Sequence, residues 1–267
     1  MKRWAWICLA LAPAGAQMHD NQARTLQCDG QRGDRRLAAF CEMREQTLPA
    51  AARLAVDGGQ NGGLTVKGWS RGDVLVRARV QAQAETEAGA RALAGQVRIE
   101  TPSGQVRASG PLSQGREHWS VTYEIFVPQR TGLSLQAHNG GVSISDVRGD
   151  IDFETTNGGV TLTRLAGNVR GHTTNGGVRV DLEGDHWDGP GLDARTTNGG
   201  VKIVVPDRYS AQFEAETVHG GVHFGFPAAV QKRANQRVSV QLGSGGATVR
   251  AVTTNGGVSI DRASGLI

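Results

Sequence analysis

Thr155-Thr156-Asn157-Gly158-Gly159-Val160-Thr161-Leu162 decides how this chain is read, because its first six residues return at 173–178, 196–201 and 253–258. Looser versions stand at Asn139-Gly140-Gly141-Val142 and His219-Gly220-Gly221-Val222, and an outlying copy, Asn61-Gly62-Gly63-Leu64, lies far upstream. Positions 139, 157, 175, 198 and 219 are separated by 18, 18, 23 and 21 residues, which is the spacing of a repeat with insertions.

Working outward from the motif, Val142-Ser143-Ile144 aligns with Val160-Thr161-Leu162 and Val178-Arg179-Val180. Ile151-Asp152-Phe153 aligns with Val169-Arg170-Gly171. Each run alternates apolar with polar, the period of a half-buried strand. A second turn, Arg148-Gly149-Asp150 or Ala166-Gly167-Asn168, separates the runs, so a unit reads strand, turn, strand, turn. Such a unit cannot bury its apolar face alone, and stacking solves that. Asn-Gly suits turns that need unusual backbone angles, and a second Gly lets neighbouring turns approach. The constant step favours a β-solenoid over a meander of hairpins. The fold expected is mainly β: a β-solenoid or β-helix-like stack over 131–262, with a small α+β lead-in at 53–130. Residues 183–192 are expected to bulge as a loop, and the strands at 238–260 to cap the stack. The lead-in is read as strands around Lys67-Gly68-Trp69 and Val74–Val80, a helix over 85–93, and strands at 97–108 and 119–127, with Pro128 marking where the repeats begin.

Residues 1–16 read as a secretory signal peptide: Lys2 and Arg3, an apolar run, then Ala14-Gly15-Ala16 as a cleavage site. This predicts a periplasmic or secreted protein, and no stretch is long enough for a transmembrane helix. Cys8 lies inside the apolar run, which speaks against a lipid anchor, and leaves with it. In an oxidising compartment Cys28 and Cys41 are expected to pair, a link worth about 3 kcal/mol and placed in an N-terminal segment over 17–52. Arg35–Thr47 is expected to be helical.

Gly68-Trp69 between alternating strands, the short Ala/Glu helix, Tyr123-Glu124-Ile125-Phe126-Val127-Pro128, and the serial Asn-Gly-Gly-Val units together resemble a bacterial candidate-adhesin family of unknown function. The resemblance spans roughly 53–262. It implies a β-solenoid-like exported or envelope-associated domain and no established activity; His219 in place of a repeat Asn and the cysteine segment depart from the pattern.

Composition agrees with a layered core of small side chains: 38 of 267 residues are Gly, 8 are Pro, and 5% are aromatic. The net charge is +4 and falls to +2 without Lys2 and Arg3, with Arg and carboxylates interspersed, so no nucleic-acid footprint is visible. No G-x-S-x-G elbow, H-E-x-x-H or P-loop occurs, and Gly189-Pro190-Gly191 follows no strand. His219, His223, Glu214 and Glu216 could be drawn as a metal site, but alternation scatters them. No metal or other cofactor is therefore expected. Asp181, Glu183, Asp185 and Asp188 gather near the insertion as a candidate cation cluster. Asp146, Asp150 and Asp152 near Arg148 and Arg164 give the best catalytic alternative, a carbohydrate-active β-helix enzyme. Arg-Gly-Asp at Arg32, Arg71 and Arg148 reads as turn chemistry. What remains is a ladder of Asn139, Asn157, Asn175, Asn198, His219 and Asn255, a structural strip able to face an envelope glycan or protein. The expectation is an exported, non-catalytic domain with a structural or adhesive role.

Overall fold

The computed structural model describes residues 20–28, 36–227, 230–234 and 236–263. The leader expected at 1–16 and the Arg-Gly-Asp at Arg32 lie outside these residues. Strands form two facing sheets, one of ten strands and one of eleven, and each coil gives one strand to each sheet. Numbered along the stack, coil 1 is Arg53–Asp57 with Leu64–Trp69, coil 2 Gly132–Ala137 with Val142–Ser145, and coil 3 Arg148–Asn157 with Val160–Thr163. Coil 4 is Ala166–Asn175 with Val178–Asp181, and coil 5 Gly191–Asn198 with Val201–Val205. Coil 6 is Thr248–Asn255 with Val258–Arg262, and coil 7 Ala211–His219 with Val222–Phe224.

Neighbouring coils pair in parallel and in register, so equivalent residues stack. Val142, Val160, Val178, Val201 and Val258 form one inner column, and Ile144, Leu162, Val180, Ile203 and Ile260 another, all at most 2% exposed. Each such side chain contributes about 1.5–3 kcal/mol of burial. Where a large residue enters the core, its neighbour shrinks: a Cβ on Gly171 would lie 2.6 Å from the Phe153 ring.

Three expectations change. The stack begins before Pro128, because Arg53–Asp57 pairs with Gly132–Ala137 and Leu64–Trp69 with Val142–Ser145. The outlying Asn61 copy is thus the turn of coil 1, and the chain from 70 to 131 is an excursion beyond coil 1 that extends both sheets there, Gln105–Ser109 pairing in parallel with Arg53–Asp57 and His118–Pro128 with Leu64–Trp69. The C-terminal repeat is no cap: coil 6 is wedged between coils 5 and 7, and the antiparallel strand Arg237–Leu242 covers coil 7 instead. The helix expected over Arg35–Thr47 is the strand Ala38–Pro49, paired antiparallel with Asp73–Ala84 over its whole length. Its Ala, Glu, Met, Arg and Gln favour helix locally, and the long partner strand overrides that weak preference. The helix in the excursion spans Glu87–Gln96, with the Thr86 hydroxyl accepting from the Gly89 N–H at 3.1 Å.

Candidate functional site

In-register stacking of Asn-Gly-Gly turns places the exposed amides of successive coils on one line. Asn139 donates to Asn61 at 3.0 Å, and Asn157 to Asn139, Asn175 to Asn157, Asn198 to Asn175 and Asn255 to Asn198, each at 2.8 Å and each from Nδ2 to Oδ1. His219 continues the line, its Cα paired with that of Asn255. Beneath the amides runs a buried Thr column. Thr155, Thr173, Thr196, Thr253 and Thr217 each donate from Oγ1, at 2.7–2.8 Å, to the first-glycine carbonyl of the preceding coil. The first glycine is required by that closeness: a Cβ on Gly158 would sit 2.2 Å from the Gly140 carbonyl oxygen, whereas one on Gly159 would meet Gly177 O at 3.6 Å.

Past the second glycine, an open trough of about 540 Å³ runs along the outer face of the ten-stranded sheet. Outward-facing Thr161, Arg179, Lys202, Ser259 and His223 edge it in stacking order. On the outer face of the eleven-stranded sheet the corresponding column reads Asp152, Arg170, Asp193, Arg250, Glu214 from coil 3 to coil 7, with alternating charge. Asp152 is held between Arg53 and Arg170; burial raises its pKa, but these two partners bring it below the ordinary carboxylate value.

A family model described as Toastrack DUF4097 matches residues 60–261. The chain belongs to the toastrack DUF4097 family. No curated protein matches it. Among solved structures, a candidate cell adhesion protein from Clostridium sporogenes is 11% identical, with a TM-score of 0.46 over 84% of this chain and 100% of that one. A candidate adhesin from Bacteroides fragilis is 12% identical, with a TM-score of 0.40 over 84% of this chain and 97% of that one. A candidate lipid-binding protein from Parabacteroides distasonis is 10% identical, with a TM-score of 0.32 over 84% and 97% of the two chains.

The toastrack geometry disperses the acidic clusters seen in sequence. Asp181 pairs with Arg179, Asp185 with His186, and Asp188 with Arg148, while Glu183 lies 3.6 Å from Arg164. Among the described residues no group of three or more His, Cys, Asp or Glu is placed to hold a metal. His223 lies on the face opposite Glu214 and Glu216, and Glu216 is engaged by Arg237 and Arg250. Asp146 is fully buried and bonded by Arg164 through both oxygens at 2.7 Å and by Asn21 at 2.6 Å. Asp150 accepts from Asn168. The insertion does not bulge freely: Trp187 is 4% exposed and donates to Gly167 O at 2.8 Å. In one Arg-Gly-Asp, Arg71 bonds Asp73; in the other described one, Arg148 bonds Asp188.

Sequence reading missed the buried centre around Glu124. This carboxylate, 1% exposed, takes Lys67, Arg77, the Thr25 hydroxyl, and the consecutive N–H groups of Thr25 and Leu26. Burial pushes its pKa up, but those donors outweigh burial and hold it at about 2. The site fastens 20–28 to the sheet, and the expected disulfide closes that segment, Cys28 to Cys41 with a Cα–Cα distance of 5.8 Å. A lone Glu inside the apolar strand His118–Pro128 was its only signal. Among the described residues no helix is long and apolar enough to cross a membrane.

Proposed function

We propose that this toastrack domain is an exported, non-catalytic interaction module of the cell envelope, and that its amide ladder is the surface presented to a glycan or envelope protein. The ladder carries this reading. Each interior Asn spends one N–H and one oxygen lone pair on its neighbours, which leaves a second N–H and a second lone pair facing water. These recur at the inter-strand step of about 4.8 Å, so a polymer with repeating hydroxyl or amide groups meets the same donor and acceptor at every rung. The disulfide supports an oxidising location outside the cytoplasm. The pairing of Asp181 and Asp188 near the insertion with one arginine each supports a non-catalytic role.

The test is a glycan array and an envelope pull-down with wild type and Asn157→Ala/Asn175→Ala/Asn198→Ala. Loss of binding with an unchanged unfolding midpoint supports recognition. Loss of folding assigns the ladder to packing alone, and polysaccharide turnover abolished by an Asp substitution near the insertion overturns the non-catalytic reading.

A further inference from the structure

We infer that the trough beside the ladder binds a linear acidic glycan, laid along the stack with its anionic groups on Arg179, Lys202 and His223. The inference rests on the glycan reading of this surface and specifies the charge of the ligand and the residues that meet it. The trough spans coils 3 to 7, five rungs, or about 19 Å at the inter-strand step, and its width is set by bare second glycines at 159, 177, 200, 257 and 221. No carboxylate lines it. Arg179 and Lys202 are registered neighbours, flanked by hydroxyls at Thr161 and Ser259, and His223 closes the far end.

Both central cations have partners on the same outer face, further along the strands. Arg179 bonds Asp181, and Lys202 lies 3.5 Å from Asp261. Their side chains are 50% and 52% exposed, and exposed pairs of this kind hold each other weakly. A carboxylate or sulfate arriving from solvent shares these cations: the Nε–Nη2 edge of Arg179 stays on Asp181, and its Nη1 side meets the ligand.

The lining selects among polyanions. Apart from the His223 imidazole at its far end it contains no aromatic ring, so successive bases of a nucleic acid find no stacking platform along it. The strands beneath are already paired on both sides up to coil 7, so an acidic peptide cannot gain affinity by adding a strand over the face. Hydroxyls, cations and a smooth glycine floor suit a polyhydroxylated chain bearing regular negative charge.

The experiment measures equilibrium binding of polygalacturonate and dextran sulfate, with carboxyl-reduced polygalacturonate, dextran and an oligothymidylate as comparison probes. The proteins are wild type, Arg179→Gln/Lys202→Gln, and Arg195→Gln on the opposite sheet face. At least one acidic glycan is expected to bind in a salt-sensitive way, to weaken about tenfold or more in the double variant, and to be indifferent to Arg195→Gln. Exposure of both side chains keeps the unfolding midpoint of the double variant unchanged. Equal binding of acidic and neutral polymers, or no effect of the double variant, overturns the trough assignment while leaving the ladder reading intact if the Asn variants still lose binding. Oligothymidylate binding as tightly through the same two cations overturns the choice of a glycan. Failure of every probe, together with a blank array, overturns both readings.

Discussion

The amide column and the charged column run along the same coils and obey opposite rules of sequence. At the turn, Asn repeats from Asn61 to Asn255, and every interior rung is both donor and acceptor to its neighbours. On the outer face of the eleven-stranded sheet nothing repeats: Asp152, Arg170, Asp193, Arg250 and Glu214 alternate in sign. A neutral group with one donor and one acceptor is satisfied by copies of itself, whereas a charge is satisfied only by its opposite. Repetition thus supplies the shared architecture, and alternation keeps like charges off neighbouring rungs. If coil 7 had followed coil 5 in space as it does in sequence, Asp193 would face Glu214; Arg250 of the C-terminal coil separates them.

The two rules can be broken separately. The largest effect is expected where a charge is buried without a copy nearby. Glu124→Ala takes from Lys67 and Arg77 the carboxylate they share and leaves the buried Arg77 to its exposed partner Glu45, and should cost about 3 kcal/mol by urea unfolding. Because the folded pKa of Glu124 lies near 2, below the ordinary value of 4.5, its stabilisation is complete above about pH 4.5 and disappears as pH falls towards 2. Glu124→Gln should therefore be less stable than wild type at neutral pH and show a shallower acid loss over that window.

Next comes the neutral stack. Gly158→Ala drives a methyl group into the Gly140 carbonyl and should cost about 3 kcal/mol, while Gly159→Ala should stay within about 1 kcal/mol because its methyl has ordinary contact distance. Equal costs would remove the close-approach argument. One rung down, Thr173→Val keeps the shape but orphans the Gly158 carbonyl, for about 1 kcal/mol. The smallest change belongs to the charged column. Arg170→Asp sets a carboxylate between Asp152 and Asp193 and should lower the thermal midpoint slightly at low salt and not at high salt.

The same contrast explains what could be read from sequence. Asn139, Asn157, Asn175, Asn198 and Asn255 were legible because a neutral ladder demands identical residues at a fixed step. Asn61 carried the same motif, but the excursion between Trp69 and Gly132 hid its adjacency to Asn139. The place of the C-terminal coil was illegible for a related reason. Its motif announces a coil, but nothing in the motif tells between which neighbours it inserts, and charges at that distance in sequence look merely interspersed. Ala38–Pro49 misled because helix-favouring residues were recruited by a long partner strand, and the Glu124 centre was hidden because its donors come from residues 47 to 99 positions away.

Stack order is tested most directly by cysteine pairs in the ladder. Asn198→Cys/Asn255→Cys joins registered neighbours on coils 5 and 6, within the Cα range a disulfide spans, whereas Asn198→Cys/His219→Cys joins positions two coil steps, or about 10 Å, apart. Under mild oxidation of the folded protein, the first pair should cross-link in nearly every chain and the second should stay reduced. Efficient closure of the 198–219 pair with an open 198–255 pair would place coil 7 beside coil 5 and contradict the account.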